Sequence, residues 1–190
     1  MNIKEMKENL ISYLLQGCRS HIKAIESESD IGVLGSYMFM CAEGYYGFGI
    51  VCCEQELLDA NDKLDVNKWH LSIGTVDHFA KAEEYISEIS DEFYDGEIED
   101  EDAGDLDDYD DDQLWLYVSG FYEDCIISVF RLLESEGFFE SSSFSSSVLL
   151  GVVMPDPDSN NKAAILRVSE RLNSPELHQK VLASNGCFFQ

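Results

Sequence analysis

Residues 37–53, YMFMCAEGYYGFGIVCC, decide the fold class, because they combine aromatic and β-branched side chains with a central glycine. Such side chains suit the pleated, half-buried surface of a sheet, and Gly44 divides the run where a turn would be needed. The stretch therefore predicts two strands, at about 37–42 and 45–53, that pair as a hairpin.

A long helix is predicted before this hairpin. Apolar side chains recur there at every third or fourth position, which is the spacing of one face of an amphipathic helix over about residues 2–26. The residues on that face are Ile3, Met6, Leu10, Tyr13, Leu14, Gly17, His21 and Ile25. After the hairpin, residues 57–65 predict a turn or short helix, and residues 67–73 predict a further short strand.

Helical spacing returns in the middle of the chain. A helix that starts at Thr75 or Asp77 would carry one apolar stripe, formed by Phe79, Ala82, Ile86, Ile89 and Phe93. Residues 114–133 carry two adjacent apolar stripes, which predicts a central helix. One stripe is formed by Leu114, Val118, Phe121, Cys125, Val129 and Leu132, and the other by Tyr122, Ile126, Phe130 and Leu133. Gly137 supplies the left-handed residue at which that helix would end.

The last third of the chain predicts one more strand and two more helices. The serine-rich segment Ser141–Ser147 is typical of a connecting loop, and the wholly apolar run 148–154 is typical of a buried strand. A helix is predicted over about 162–172. Another begins after Ser174, which can cap it, with Pro175 at the first helical position.

These elements predict one α+β domain over residues 1–190. A chain of 190 residues suits a single core, and its 45% hydrophobic content is ample for packing one. We expect a small, mostly antiparallel sheet packed with about four to six helices. An acidic insertion is expected within this domain at 95–112, because like charges at high density oppose compaction and favour a flexible loop.

The chain is strongly acidic. It has 38 Asp and Glu residues against 12 Lys and Arg residues, which gives a formal net charge of −26. Residues 91–112 alone contain 14 acidic residues and no basic one. Such a field repels nucleic-acid phosphates and anionic lipids, and it accelerates encounter with cationic proteins. A basic protein is therefore the expected partner, and neither nucleic acid nor membrane is expected to bind.

Carboxylates and aromatic rings of the acidic segment are the candidate partner-binding residues. Large amphipathic rings supply contact area at low entropic cost, and carboxylates complement a basic surface. The candidates are Asp100, Asp102, Asp105, Asp107, Asp108, Tyr109, Asp110, Asp111, Asp112 and Trp115.

No pattern of residues predicts catalysis, a cofactor or a metal site. The sequence contains no nucleophile elbow and no glycine-rich phosphate loop, and its four histidines, His21, His70, His78 and His178, lack the spacing of metal ligands. Asp156, Asp158 and Asn160 resemble the start of a calcium loop. That pattern fails because Asn161 and Arg167 stand where such a loop needs glycine and glutamate.

The sequence favours a cytoplasmic protein. Its N-terminal segment is amphipathic and lacks the apolar core of a signal peptide, and no run of about 18 apolar residues occurs. The irregularly spaced cysteines are expected to be reduced and mostly buried. They are Cys18, Cys41, Cys52, Cys53, Cys125 and Cys187.

Six short segments occur in a distinctive order. They are Tyr45–Val51, Ala60–Leu64, Lys68–Trp69, Leu132–Phe139, Met154–Asp158 and Ser169–Asn173. This order resembles a widespread, largely uncharacterised bacterial family that is associated with toxin-immunity loci. The resemblance spans most of residues 40–183, although Asp62 and Lys63 stand where that family has Thr and Glu. It implies an immunity role and carries over no catalytic residue.

Three hypotheses follow from these features. The leading one is a non-enzymatic immunity protein that binds and neutralises a cognate bacterial toxin, for example a nuclease, through an acidic surface that contains aromatic residues. One alternative is a small metal-dependent hydrolase or metal-binding protein that uses the carboxylates. The other is an acidic nucleic-acid mimic that captures basic proteins, which composition does not separate from the first hypothesis.

Overall fold

A computed structural model describes residues 2–27, 31–42, 45, 47–60, 64–69, 75–95, 98, 100 and 106–188. In these residues six helices surround three strands, which confirms the predicted α+β class. The helices are α1 (Ile3–Glu26), α2 (Gln55–Ala60), α3 (Thr75–Asp95), α4 (Asp111–Ser135), α5 (Ser159–Leu172) and α6 (Pro175–Ala183); the strands are β1 (Leu34–Cys41), β2 (Phe48–Glu54) and β3 (Phe144–Val153).

The predicted hairpin is confirmed, and it forms two thirds of the sheet. β1 and β2 pair antiparallel, with Phe39 opposite Ile50, while the turn residue Gly44 lies outside the described residues. β3 pairs with the other side of β1 in the parallel direction, with Phe39 opposite Val152. The sheet is thus mixed, with order β2-β1-β3, where mostly antiparallel pairing was expected. β3 can pair with β1 in the parallel direction because the long connection through α3 and α4 carries the chain back across the sheet before β3 begins.

Two local predictions were wrong. The serine-rich segment was predicted as a loop, but β3 already begins at Phe144 and includes the serines that follow it. The Phe144 ring is buried and lies 5.1 Å from the ring of Phe139, so its packing outweighs the weak strand propensity of serine. The second concerns the strand predicted at 67–73: Val66–Lys68 form a 3-10 turn in which Asp65 accepts a hydrogen bond from the Asn67 amide, and residues 70–73 lie outside the described ones.

The helices start at side chains that can cap them. Asn2 caps α1, Asp158 caps α5 and Ser174 caps α6, each by accepting a hydrogen bond from a backbone amide of the first turn. Asp158 therefore serves the start of α5, which begins three residues earlier than predicted. The helix α4 ends just before Gly137, whose φ of 71° is the predicted left-handed conformation.

Both faces of the sheet contribute to one core. The central strand β1 is buried almost along its whole length, and the rings of Tyr37 and Phe39 pack against Phe130 of α4 at centroid distances of 6.5 and 5.3 Å. The helix α1 lies against α3 and α4. In the described part of the chain, no helix is long and apolar enough to cross a membrane.

Candidate protein-binding surface

The start of α4 brings together four of the predicted acidic residues. Asp108, Asp110, Asp111 and Asp112 are all exposed there within five consecutive positions; we call these four residues the acidic cluster. They are held at one place because Leu106, two residues before Asp108, is buried in the core. The cluster is therefore an exposed feature of the folded domain, anchored at the beginning of its longest helix.

The remaining acidic candidates have different positions. Asp100 is half-buried and accepts a hydrogen bond from the hydroxyl group of Tyr117. The backbone of Asp107 belongs to a 3-10 turn over Leu106–Asp108, whereas Asp102 and Asp105 lie outside the described residues. The predicted flexibility of 95–112 stays a prediction.

Two aromatic candidates adjoin the acidic cluster along the chain. Tyr109 and Trp115 are half-buried, and the ring of Tyr109 lies edge-on to that of Tyr117 at a centroid distance of 6.0 Å. Burial raises the pKa of Tyr117, and its hydrogen bond to Asp100 raises this pKa further. The phenol thus stays protonated and donates to Asp100, which fixes that carboxylate against α4.

Asp110 has a structural task within the cluster. Its side chain accepts a hydrogen bond from the Gln113 amide at 2.8 Å, while the Gln113 side chain accepts from the Asp110 amide at 3.0 Å. This capping box satisfies two groups at the helix end. Asp111 and Asp112 lie in the first turn, where the helix dipole favours negative charge. Stabilisation of the helix start therefore accounts fully for an aspartate at position 110 and partly for the aspartates at 111 and 112.

The ion pairs of the described residues lie away from the acidic cluster. The ion pairs of the described residues join Lys7 and Arg171 to Asp124, Arg167 to Glu123, Arg19 to Glu136, Arg131 to Glu134 and Lys180 to Asp59. Among the residues that the structure describes, no Lys or Arg forms an ion pair with the acidic cluster. Within the described part of the chain, its negative charges are consequently not paired with a Lys or Arg side chain.

Leu116 is an exposed apolar residue that the sequence analysis missed. It is 56% exposed, one turn after Asp112 on α4. The available signal was its position, because Leu116 belongs to neither of the two apolar stripes that predicted this helix. Exposed leucine beside carboxylates gives the surface the combination of apolar contact and charge that protein interfaces use.

A groove of about 680 Å³ opens beside Leu116, between the first turns of α1 and the middle of α4. Gly120 and Phe121 of α4 form part of its lining, and Ile3 and Lys4 contribute from α1. A side chain built at Gly120 would have no neighbouring atom within 4 Å of its Cβ. The groove was not predicted, since it depends on how two helices far apart in sequence approach each other.

One buried carboxylate, also missed, ties α5 to α4. Glu123 is 4% exposed and receives hydrogen bonds from Arg167 Nε at 3.1 Å, Arg167 Nη2 at 2.5 Å and the Ser119 hydroxyl at 2.9 Å. The hydrogen bond to Glu123 raises the pKa of Arg167. These contacts satisfy the carboxylate within the fold, so Glu123 is a structural residue and not a free acid.

The described histidines and cysteines have structural surroundings. His21, His78 and His178 each lie within 3.1 Å of a Tyr or Ser hydroxyl, while His70 lies outside the described residues. Burial raises the pKa of Cys18, Cys52 and Cys125 to about 12, which suppresses the reactive thiolate. Among the described residues, no group of three His, Cys, Asp or Glu side chains could hold a metal ion.

Comparison with protein-family models, with curated proteins and with solved structures found no match. The resemblance to a family from toxin-immunity loci therefore stays a prediction. Its segment Ala60–Leu64 is described only at Ala60 and Leu64. Its final segment, Ser169–Asn173, has a structural use, because the Asn173 side chain exchanges hydrogen bonds with the backbone of Leu150 in β3.

Proposed function

We propose that this chain is a non-enzymatic immunity protein that binds and neutralises a cationic bacterial toxin in the cytoplasm. The observation that carries the proposal is the acidic cluster, which is exposed, anchored by the fold and without an ion pair to any described Lys or Arg. Carboxylates arranged in this way are available to cations of another protein. A nuclease toxin would offer such cations at the surface that contacts phosphates.

Binding would draw on two physical effects. The net charge of −26 steers a basic partner toward the protein, which raises the association rate. Tyr109, Trp115 and Leu116 then supply apolar contact area beside the carboxylates, and such contacts slow dissociation when they become desolvated. Neither effect requires chemistry at the surface. The free cysteines support a reducing compartment for this encounter.

The test is binding to the product of the adjacent gene, with the acidic cluster altered. We expect the triple variant Asp108→Asn, Asp111→Asn, Asp112→Asn to weaken binding at least about tenfold, since three charge contacts of about 0.5 kcal/mol each amount to that factor. Asp110 is kept so that α4 keeps its cap. Affinity is measured by titration calorimetry at low salt and at about 0.15 M salt.

A second triple variant is the matched control. Glu26→Gln, Glu56→Gln and Glu170→Gln remove the same number of charges from exposed positions on α1, α2 and α5, and we expect less than about a threefold loss of affinity from this variant. Equal losses in both variants, together with binding that disappears at about 0.15 M salt, would contradict a specific surface and favour the nucleic-acid mimic. Absence of binding by the unaltered protein would contradict the immunity function itself.

A further inference from the structure

Asp100 is attached to α4 through the side chain of Tyr117. The Tyr117 hydroxyl group donates a hydrogen bond to Asp100 Oδ2. Ile98, before Asp100 in the chain, and Leu106, after it, are both buried in the core. Apolar burial and a hydrogen bond to a charged group oppose the repulsion among the many carboxylates of this part of the chain. Asp100 therefore has a fixed place in the fold.

The ring of Tyr117 links Asp100 to the acidic cluster. It lies edge-on to the ring of Tyr109 at a centroid distance of 6.0 Å, and Tyr109 lies within the acidic cluster in the sequence. Another edge-on contact, at 6.1 Å, joins it to Phe93 near the end of α3. Because helix side chains lean toward the N-terminus, the Tyr117 hydroxyl group is directed back toward the start of α4. Asp100 and the acidic cluster are thus connected through two tyrosine rings at the same end of this helix.

The hydrogen bond holds Asp100 without neutralising it. A phenol is neutral, whereas a Lys or Arg partner would cancel the negative charge of the carboxylate. Burial and the hydrogen bond to Asp100 raise the pKa of Tyr117, so the hydroxyl group keeps its proton and remains a donor. A charged surface that folding has already arranged does not have to be ordered during binding, and this lowers the cost of association.

We propose that Tyr117 is a positioning residue of the binding surface: its hydroxyl group holds Asp100 at the end of α4 that carries the acidic cluster, so that both meet the same cationic segment of a partner. The proposal rests on the proposed function and names a neutral residue on which the affinity of that surface depends. Tyr117 acts through Asp100 and needs no contact of its own with the partner.

The test follows single residues by NMR while a peptide of about six lysines is added at about 0.05 M salt, where attraction between charges is weakly screened. In the unaltered protein we expect the amide signals of Asp100 and Asp112 to saturate at the same peptide concentration. In Tyr117→Phe, which removes only the hydroxyl group, we expect saturation of the Asp112 signal to need about threefold more peptide, the effect of one lost charge contact. A purely structural role would lower the urea midpoint of this variant and leave peptide binding to the folded protein unchanged.

Further variants identify the contact. Tyr13→Phe is the matched control, because it removes a phenol hydroxyl group from a half-buried tyrosine of α1 whose ring packs against Tyr85. We expect it to bind the peptide as the unaltered protein does. Asp100→Asn removes the charge and keeps an acceptor for the Tyr117 hydroxyl group, and we expect a similar threefold loss from it. The double variant Tyr117→Phe, Asp100→Asn should lose no more affinity than either single variant, since both remove the same contact.

The outcomes separate the positioning role from the proposed function. An unchanged affinity in Tyr117→Phe, or losses that add in the double variant, would overturn the positioning role. If the product of the adjacent gene lost affinity in the acidic-cluster variant but not in Tyr117→Phe, the proposed function would stand and the positioning role would not. If that product did not bind the unaltered protein while the lysine peptide still lost affinity in Tyr117→Phe, the proposed function would fall and the positioning role would stand.

Discussion

At the scale of single residues, Asn173 has the most consequential contacts. Its Oδ1 accepts a hydrogen bond from the Leu150 amide at 2.9 Å, and its Nδ2 donates to the Leu150 carbonyl at 2.7 Å and to the Ser169 carbonyl at 3.0 Å. One side-chain amide thus takes the place of a neighbouring strand at the outer side of β3. Because β3 is an edge strand of the sheet, this contact covers backbone groups that could otherwise pair with another chain.

We expect Asn173→Ala to lower the free energy of unfolding by about 1–3 kcal/mol, because it leaves the amide and the carbonyl of Leu150 without their partner. Urea denaturation followed by circular dichroism measures this loss. Asn173→Asp is the informative comparison, since it keeps the acceptor for the Leu150 amide but cannot donate to the carbonyl. An unchanged stability in Asn173→Ala would mean that water satisfies both backbone groups equally well.

At the scale of elements, α4 is the support of the proposed binding surface. Its apolar stripes hold it in the core through Val118, Phe121 and Cys125, while its first turn presents the acidic cluster to solvent. The capping box at Asp110 fixes where the helix begins and therefore where Asp111 and Asp112 lie. Core packing and the proposed recognition thus use different parts of one helix.

We expect Asp110→Ala to destabilise the protein by about 1 kcal/mol, because the cap for the Gln113 amide is lost. Asp110→Asn should cost little, since asparagine caps as well as aspartate does. The pair distinguishes the hydrogen bond from the charge, and urea denaturation measures both variants. Asp108→Ala is the control outside the cap, and we expect it to change stability by less than about 0.5 kcal/mol. Equal losses for Asp110→Ala and Asp108→Ala would contradict the capping role.

The elements also show how far the sequence predicts this fold. The spacing of apolar residues predicted α1, α3 and α4, and the aromatic and β-branched composition of residues 37–53 predicted the β1–β2 hairpin, because each of these signals lies within a short stretch of sequence. The parallel direction of β3 and its early start at Phe144 were not predictable, since both depend on pairing with a strand about 110 residues earlier in the chain. The acidic cluster follows from composition, whereas the groove beside Leu116 needs the approach of α1 to α4.

At the scale of the whole molecule, one domain combines a strongly acidic composition with a core that contains several thiols. Five of the six cysteines are buried, and they belong to α1, α4, β1 and β2. Burial raises the pKa of Cys18, Cys52 and Cys125 from the ordinary 9.0 to about 12, and that of Cys53 to about 11. Above pH 9 the folded protein therefore keeps these thiols protonated, whereas the unfolded chain would lose their protons.

We expect stability to fall with rising pH above 9. Each of these thiols has a raised pKa in the folded state, so its contribution is complete below pH 9 and is lost as the pH rises toward 12, by about 1.4 kcal/mol per pH unit. Urea denaturation at several alkaline pH values measures the slope. Cys125→Ala should reduce that slope. Val129→Ala, a buried control on the same helix, should lower stability at every pH without changing the slope; an unaltered slope in Cys125→Ala would contradict the burial of its thiol.

The open space at Gly120 and the capping role of Asp110 have an evolutionary consequence. Asp110 alone in the acidic cluster forms the capping box, while Asp108, Asp111 and Asp112 are exposed and a side chain at Gly120 would meet no atom within 4 Å. Mutations at those positions can accumulate while the helix still begins at the same residue. On the proposed function, substitutions at these positions would change which partner the protein binds while the fold stays the same.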